Sequence, residues 1–263
     1  MDTDPVLRAY VLHRLQQRWS PQQISRALRL AHPSEPARRI ATETIYQAIY
    51  RPNSGILGEP ACSPLRTGRD HRRGHTRQIR ARRRFAQPML SIHDRGFEPT
   101  DRSEAGHWEG DLIVGPHNRS AIATLVERQT RYLKLVHLPA HDSTELHRAL
   151  VQVLRHLPLR LRQTLTWDQG TEMARHLDIT ADTGTRIFFC DAGSPWQRGS
   201  NENANGLLRQ YFPKSTDLSV HTAGDLARVE SQLNTRPRIV LQDRTPAALF
   251  TALLGSENHP SLR

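Results

Sequence analysis

Between His107 and Pro139 the chain runs HWEGDLIVG, AIATLVER and RYLKLVHLP, three short apolar or alternating segments separated by the turn-sized gaps GPHNRS and QT. These segments predict an antiparallel three-stranded meander. The period then changes. Leu146, Ala149, Leu150, Val153, Leu154 and Leu157 follow the i, i+3, i+4, i+7 template behind the capping pair Asp142 and Glu145, and predict a helix. QTLTWDQG reads as a fourth strand and TRIFFCD as a fifth, with a short irregular or helical piece between them. A last helix is expected from Ser194, with Pro195 in its first position. The order is strand, strand, strand, helix, strand, helix, strand, helix. It specifies an α/β fold class, with a mixed five-stranded sheet flanked by helices over residues 102–215.

The flanking segments read differently. Residues 5–50 are helical in pattern: Val6, Leu7, Tyr10, Val11 and Leu15 recur at helical spacing, Ser20 and Gln23 form a capping box around Pro21, and Thr42 can cap TETIYQAIY. Residues 1–51 therefore resemble a helix-turn-helix DNA-binding region. The connector of about eleven residues between the two helices is longer than the usual turn, which leaves a plain helical bundle as the alternative. From 52 to 101 periodicity gives way to Pro, Gly, Ser and Arg, the signature of a linker. Residues 216–263 read as a helical C-terminal annex: a helix near Thr222–Asn234, the turn-rich RPRIVLQDR, and a short helix opened by Thr245 and Pro246.

Charge narrows the partners. Among 263 residues, 37 Lys and Arg oppose 26 Asp and Glu, a net charge of +11. Polyanions are the expected partners. Arg66–Arg84 holds nine arginines against one acid. Within it Arg72, Arg73, Arg82, Arg83 and Arg84 are candidates to track a phosphate backbone with salt-sensitive affinity. No apolar run approaches the ~20 residues of a membrane span and no signal-peptide pattern opens the chain, so a cytoplasmic, nucleoid-associated protein is expected. Cys62 and Cys190 are far apart in sequence, and neither a disulfide nor a zinc site is expected of them.

The candidate chemistry rests on three acids. Asp111 lies in the first predicted strand, Asp168 directly follows the fourth, and Glu202 sits on the closing helix, with 56 and 33 residues between successive acids. If the first and fourth strands are neighbours, the two aspartates stand side by side and a flanking helix can supply the third carboxylate. Like charges that close resist joint ionisation unless divalent cations join them. Oxygen-only ligands favour Mg²⁺ or Mn²⁺, and two ions can activate an attacking hydroxyl and stabilise the leaving 3′ oxygen of a phosphodiester. Asp111 is assigned the bridging role, with Asp168 completing one site and Glu202 the other.

Neighbouring residues carry smaller expectations. Helical geometry groups Asn205 and Arg209 with Glu202, and these two with Arg198 are candidates to touch DNA or to support the acids, while Lys214 just beyond the helix is a candidate phosphate contact. Glu109, two residues before Asp111, is expected to face away from it as a salt-bridge or turn partner. Glu172 is read as a helix N-terminal acid or a group supporting the site. Trp108, Trp167 and Trp196 flank the three acids and are expected to pack the core. His107 with Glu109 forms H-x-E, but no P-C-x-x-C follows, which excludes the zinc deaminase pattern.

GHWEGDLIVG around Asp111, TWDQGTEMARH around Asp168 and SPWQRGSNENANGLLRQYFPK around Glu202 resemble bacterial transposases of the insertion-sequence-thirty family. WSPQQIS, TETIYQAIY and NTRPRIVLQDRTPAALF match its flanking regions, so the resemblance covers nearly the whole chain. It implies an Asp-Asp-Glu transposase with an RNase-H-like core. The implied reaction is metal-dependent cleavage at transposon ends, followed by transfer of the freed 3′ hydroxyl into target DNA. Its implied partners are the terminal inverted repeats, target DNA and further copies of the chain. Relatives usually carry another helix-turn-helix region upstream that binds the inverted repeats, and here the chain starts almost at the second helical unit, so either a truncated N-terminus or a misassigned start codon is expected. Two alternatives stay open: a structure-selective nuclease on the same fold, and a non-catalytic DNA-binding regulator or remnant.

Overall fold

A computed structural model describes residues 4–50, 87–98 and 100–256. Of these, the residues up to Tyr50 together with Thr235–Thr245 form one compact unit, and the remainder forms a second.

In the first unit α1 (Pro5–Gln16), α2 (Pro21–Ala31) and α3 (Thr42–Tyr50) enclose a small apolar core that includes Val11, Trp19, Ile24, Leu28 and Ile45. The capping box forms in full: Ser20 and Gln23 exchange both bonds and Pro21 takes the first turn. The Gln23 side-chain amide also donates to the Pro237 carbonyl at 3.0 Å, and Arg26 grips Asp243 through two nitrogens at 2.7 and 2.5 Å. The turn-rich stretch of the tail thus belongs with the N-terminal helices, whereas the rest of the expected annex packs on the sheet. A polar, aperiodic segment is held by specific hydrogen bonds over more than 200 residues of separation, which no local pattern encodes.

The second unit is built on one sheet: β1 (Leu90–Ser91), β2 (His107–Val114), β3 (Ala121–Glu127), β4 (Leu133–Leu138), β5 (Thr164–Trp167) and β6 (Arg186–Phe189). The spatial order is β1-β6-β5-β2-β3-β4. The β2-β3-β4 meander is antiparallel, while β5 joins β2, and β6 joins β5, in parallel. This is the RNase-H-like arrangement. The five expected strands are all present. The sixth is a two-residue edge strand paired parallel to β6, inside the stretch read as linker, and two residues are too few to show a period.

The helices α4 (Ser143–Arg155), α5 (His176–Thr183), α6 (Gly199–Leu208), α7 (Ala223–Asn234) and α8 (Pro246–Gly255) cover the sheet. Alternation along the strands sorts them into two layers. Trp108, Ala123, Leu125, Leu165 and Trp167 pack with Leu150, Leu154, Ile179 and Phe250 of α4, α5 and α8. Ile113, Ile122 and Val126 pack with Leu208 of α6 and with Leu226, Val229 and Leu233 of α7. Cys190, just past β6, is a free thiol that burial pushes up to about 11. Among the described residues no helix is long and apolar enough to cross a membrane.

Candidate active site

The parallel pairing of β2 with β5 sets Glu109 opposite Thr166. Two residues further along the same face, Asp111 comes level with Asp168, the first residue past β5. Sheet register alone therefore brings these two acids together. Between them lies a cation: Nη1 of Arg198 stands 3.4 Å from Asp111 Oδ1, and Nη2 stands 3.5 Å from Asp168 Oδ2. Nη1 also donates to the Gly110 carbonyl at 2.6 Å. Arg198, expected either to touch DNA or to support the acids, is a buried bridge between the aspartates. Burial works against its charge, yet Asp111 and Asp168 hold its pKa above the ordinary value. Asp111 is shifted upward, first by burial and further by Asp168, with Arg198 opposing. Asp168 Oδ1 in turn accepts from the Gly170 N–H at 3.1 Å, fixing the loop that follows β5.

The third acid rides on α6. A four-residue 3₁₀ turn, Pro195–Arg198, precedes this helix, and Ser194 makes no capping bond, so the expected start is displaced by a turn. The N-terminus of α6 is capped from the sheet. Glu109, fully buried, accepts from the N–H groups of Ser200 and Asn201 at 2.7 and 3.0 Å and pairs with Arg128 at 3.2 Å. The Asn201 amide donates to the carbonyls of Glu109 and Thr124, riveting the same turn to β2 and β3. Glu109 therefore shares the face of Asp111, contrary to the expectation that it faces away, because residues two apart on a strand point the same way. That alternation was the available signal for its role.

One turn further along α6, Asn205 donates to Asp111 Oδ2 at 2.9 Å. Glu202 is three residues earlier, on the same side of the helix, and is exposed with no ion pair among the described residues. Nor does any group of three or more His, Cys, Asp or Glu side chains converge closely enough there to hold a metal ion. The two aspartates suit an oxygen-seeking cation, since they already flank a positive charge. Glu202 is placed one helical turn from the atom that touches Asp111, a separation of about 5–6 Å between Cβ positions.

The remaining candidates scatter. Arg209 is half-buried near Asp111, its pKa lowered by burial, and reaches the Phe212 carbonyl at 3.5 Å. Lys214 is exposed. Arg72, Arg73, Arg82, Arg83 and Arg84 lie outside the described residues. Glu172 accepts from the Trp167 indole N–H at 3.2 Å, bracing the loop after Asp168. Trp108 and Trp167 are fully buried as expected, but Trp196 is 69% exposed.

Residues 101–195, which contain Asp111 and Asp168, match the family model described as the integrase core domain. Over 253 residues, 96% of its length, the chain is 46% identical to the transposase for insertion sequence element IS1086 of Cupriavidus metallidurans. It is 44% identical over 252 residues to transposase InsI for insertion sequence element IS30A of Escherichia coli. The chain belongs to the IS30 family of transposases. It spans 74% of the first relative's length and 66% of the second's. Among solved structures, the catalytic core domain of BIV integrase aligns with 59% of this chain and 99% of its own, at 16% identity and a TM-score of 0.46. The similarity to the IS1086 transposase extends over 96% of the chain and so is not confined to the strands.

Proposed function

We propose that this chain is a metal-dependent DNA transposase that cuts a phosphodiester at transposon ends and joins the freed 3′ hydroxyl to target DNA. The observation that carries the reading is the pair Asp111 and Asp168, set level by the β2–β5 register around one buried cation, with Asn205 of α6 hydrogen-bonded to Asp111. Asp111, Asp168 and Glu202 would hold the Mg²⁺ or Mn²⁺ ions, two being expected. Such ions supply activation of the attacking hydroxyl and neutralisation of the leaving oxygen. The chain's own residues do the rest. The β2–β5 register holds the two aspartates level, Asn205 orients Asp111, Gly170 orients Asp168, and Glu109 caps α6, the helix that carries Glu202.

DNA is the substrate and the target, held in part by the arginine-rich segment and by the N-terminal helices. Two ends must be brought together, which calls for more than one copy of the chain. Asp111→Asn, Asp168→Asn and Glu202→Gln should each abolish Mg²⁺-dependent nicking of a transposon-end duplex while leaving DNA binding close to that of the unmodified protein. Retained nicking in any of the three would remove that acid from the site. A labelled 3′-OH end separates the alternatives: joined products mark a transposase, cleavage without joining marks a nuclease, and no nicking at any Mn²⁺ concentration marks a non-catalytic binder.

A further inference from the structure

Trp196 is 69% exposed, whereas Trp19, Trp108 and Trp167 are each 6% exposed or less. Its exposure does not come from a loose loop. Its neighbour Gln197 is buried and clamped twice onto Asp191, accepting from the Asp191 N–H and donating to Asp191 Oδ2, both at 2.8 Å. Asp191 Oδ2 is held from outside by His93 at 2.8 Å, and the Ser194 N–H closes back on the Asp191 carbonyl at 3.1 Å. On the other side, Arg198 is locked between the two aspartates. The backbone is thus pinned immediately after Trp196 and closed on itself just before it, while the largest apolar side chain of the segment is held in water. An indole left exposed on a fixed mount beside a polar site has the character of a contact surface.

We infer that Trp196 is a stacking platform for an unpaired nucleobase of the DNA being processed. The inference rests on the transposase reading and adds a subsite to it. Trp196 and Arg198 are two positions apart, so their Cα atoms are within about 7 Å. Any strand whose phosphate reaches Asp111 and Asp168 therefore passes the indole within the span of a nucleotide or two. A base inside duplex DNA has its faces covered by neighbours, and only an unstacked one offers a face to the ring. Every base has such a face, so the subsite is indifferent to sequence. The chain's charge of +11 supplies the affinity for the backbone, and Trp196 selects for strand opening next to the scissile phosphate.

The test uses the full chain in EDTA, with two probes: a blunt random-sequence duplex, and the same duplex ending in a short unpaired thymine flap. Because Trp196 is the one exposed tryptophan of the four, iodide-accessible emission reports on it. The flapped duplex should quench that emission and protect it from iodide, and the blunt duplex should do neither. In anisotropy titrations Trp196→Ala should weaken binding of the flapped duplex by about 5- to 100-fold, while Trp196→Phe, which keeps an aromatic face, stays within about threefold. Binding of both probes without quenching, or equal affinity in the alanine variant, overturns the stacking role and leaves the transposase reading intact. Failure to bind either probe at low salt sinks the DNA reading itself. Loss of iodide access on raising protein concentration without DNA assigns the indole to contact between copies and overturns the proposal.

Discussion

Gly110 sits between Glu109 and Asp111, and its lack of a side chain is a packing requirement. A Cβ built there falls 2.0 and 2.2 Å from Cζ3 and Cε3 of the Trp167 ring. That ring is fully buried and its indole N–H is engaged by Glu172, so it has nowhere to go. Gly110→Ala should cost the core at least about 3 kcal/mol, the upper end of overpacking penalties, and lower its unfolding midpoint by about 6–12 °C. A midpoint within a degree of the parent would show that the strands part freely at this point. Arg198 makes the complementary residue-scale prediction. Its guanidinium compensates two acids and satisfies the Gly110 carbonyl. Arg198→Gln should therefore be less stable in EDTA and should gain more thermal stability from Mn²⁺ than the parent does, since a competing cation is gone. Equal Mn²⁺-induced shifts in the two proteins would place the ion elsewhere. Asp111 and Asp168 were legible in the sequence because each ends or interrupts an apolar strand. Arg198 was legible as a residue near the acids but not as the cation between them, because helical spacing gives the direction of a side chain but not whether a neighbouring strand covers it.

At the scale of elements, α6 is unusual in borrowing its cap from another element. Its N-terminal N–H groups are satisfied by the buried carboxylate of Glu109, whose charge also suits the positive end of the helix. Removing that carboxylate leaves Arg128 facing an empty partner and two backbone donors unmatched, so Glu109→Ala should destabilise the core by about 3–5 kcal/mol. Glu109→Gln is the sharper experiment. It keeps the size of the side chain but presents at most one good acceptor, and should lower nicking while DNA binding holds. Amide hydrogen exchange in the first turn of α6 should accelerate while exchange in β3 and β4 stays slow. Uniform acceleration across the sheet would mean that Glu109 serves general stability rather than the placement of α6. The helix itself was visible in the pattern of Leu207, Leu208 and Tyr211. Its true start at Gly199 was not, since Pro195 and Ser194 satisfy the usual start rules and the preceding 3₁₀ turn is set by the side-chain bonds of Gln197 and Arg198.

For the molecule as a whole, the strand and helix order was readable because both layers of the sheet are apolar and the five longer strands form distinct apolar runs, whereas membership of 235–245 in the first unit depends on pairs such as Arg26 with Asp243. Charge acts at this scale too, and here the arginine-rich segment enters. Each phosphate neutralised by Lys or Arg contributes roughly 0.9 to the slope of log K against log salt for duplex DNA. If Arg72, Arg73, Arg82, Arg83 and Arg84 each cover a phosphate, replacing all five with alanine should flatten that slope by about 4.5 and weaken binding most at low salt, without preference among sequences. Glu202→Gln, measured alongside, should leave the slope unchanged, because it alters one exposed acid near the catalytic pair and no basic residue. Anisotropy titrations of a single duplex over a range of KCl concentrations give both numbers. An unchanged slope in the five-arginine variant would assign the phosphate contacts to the N-terminal helices and the core, and reduce the segment from 52 to 101 to a tether whose charge is spent on solvent.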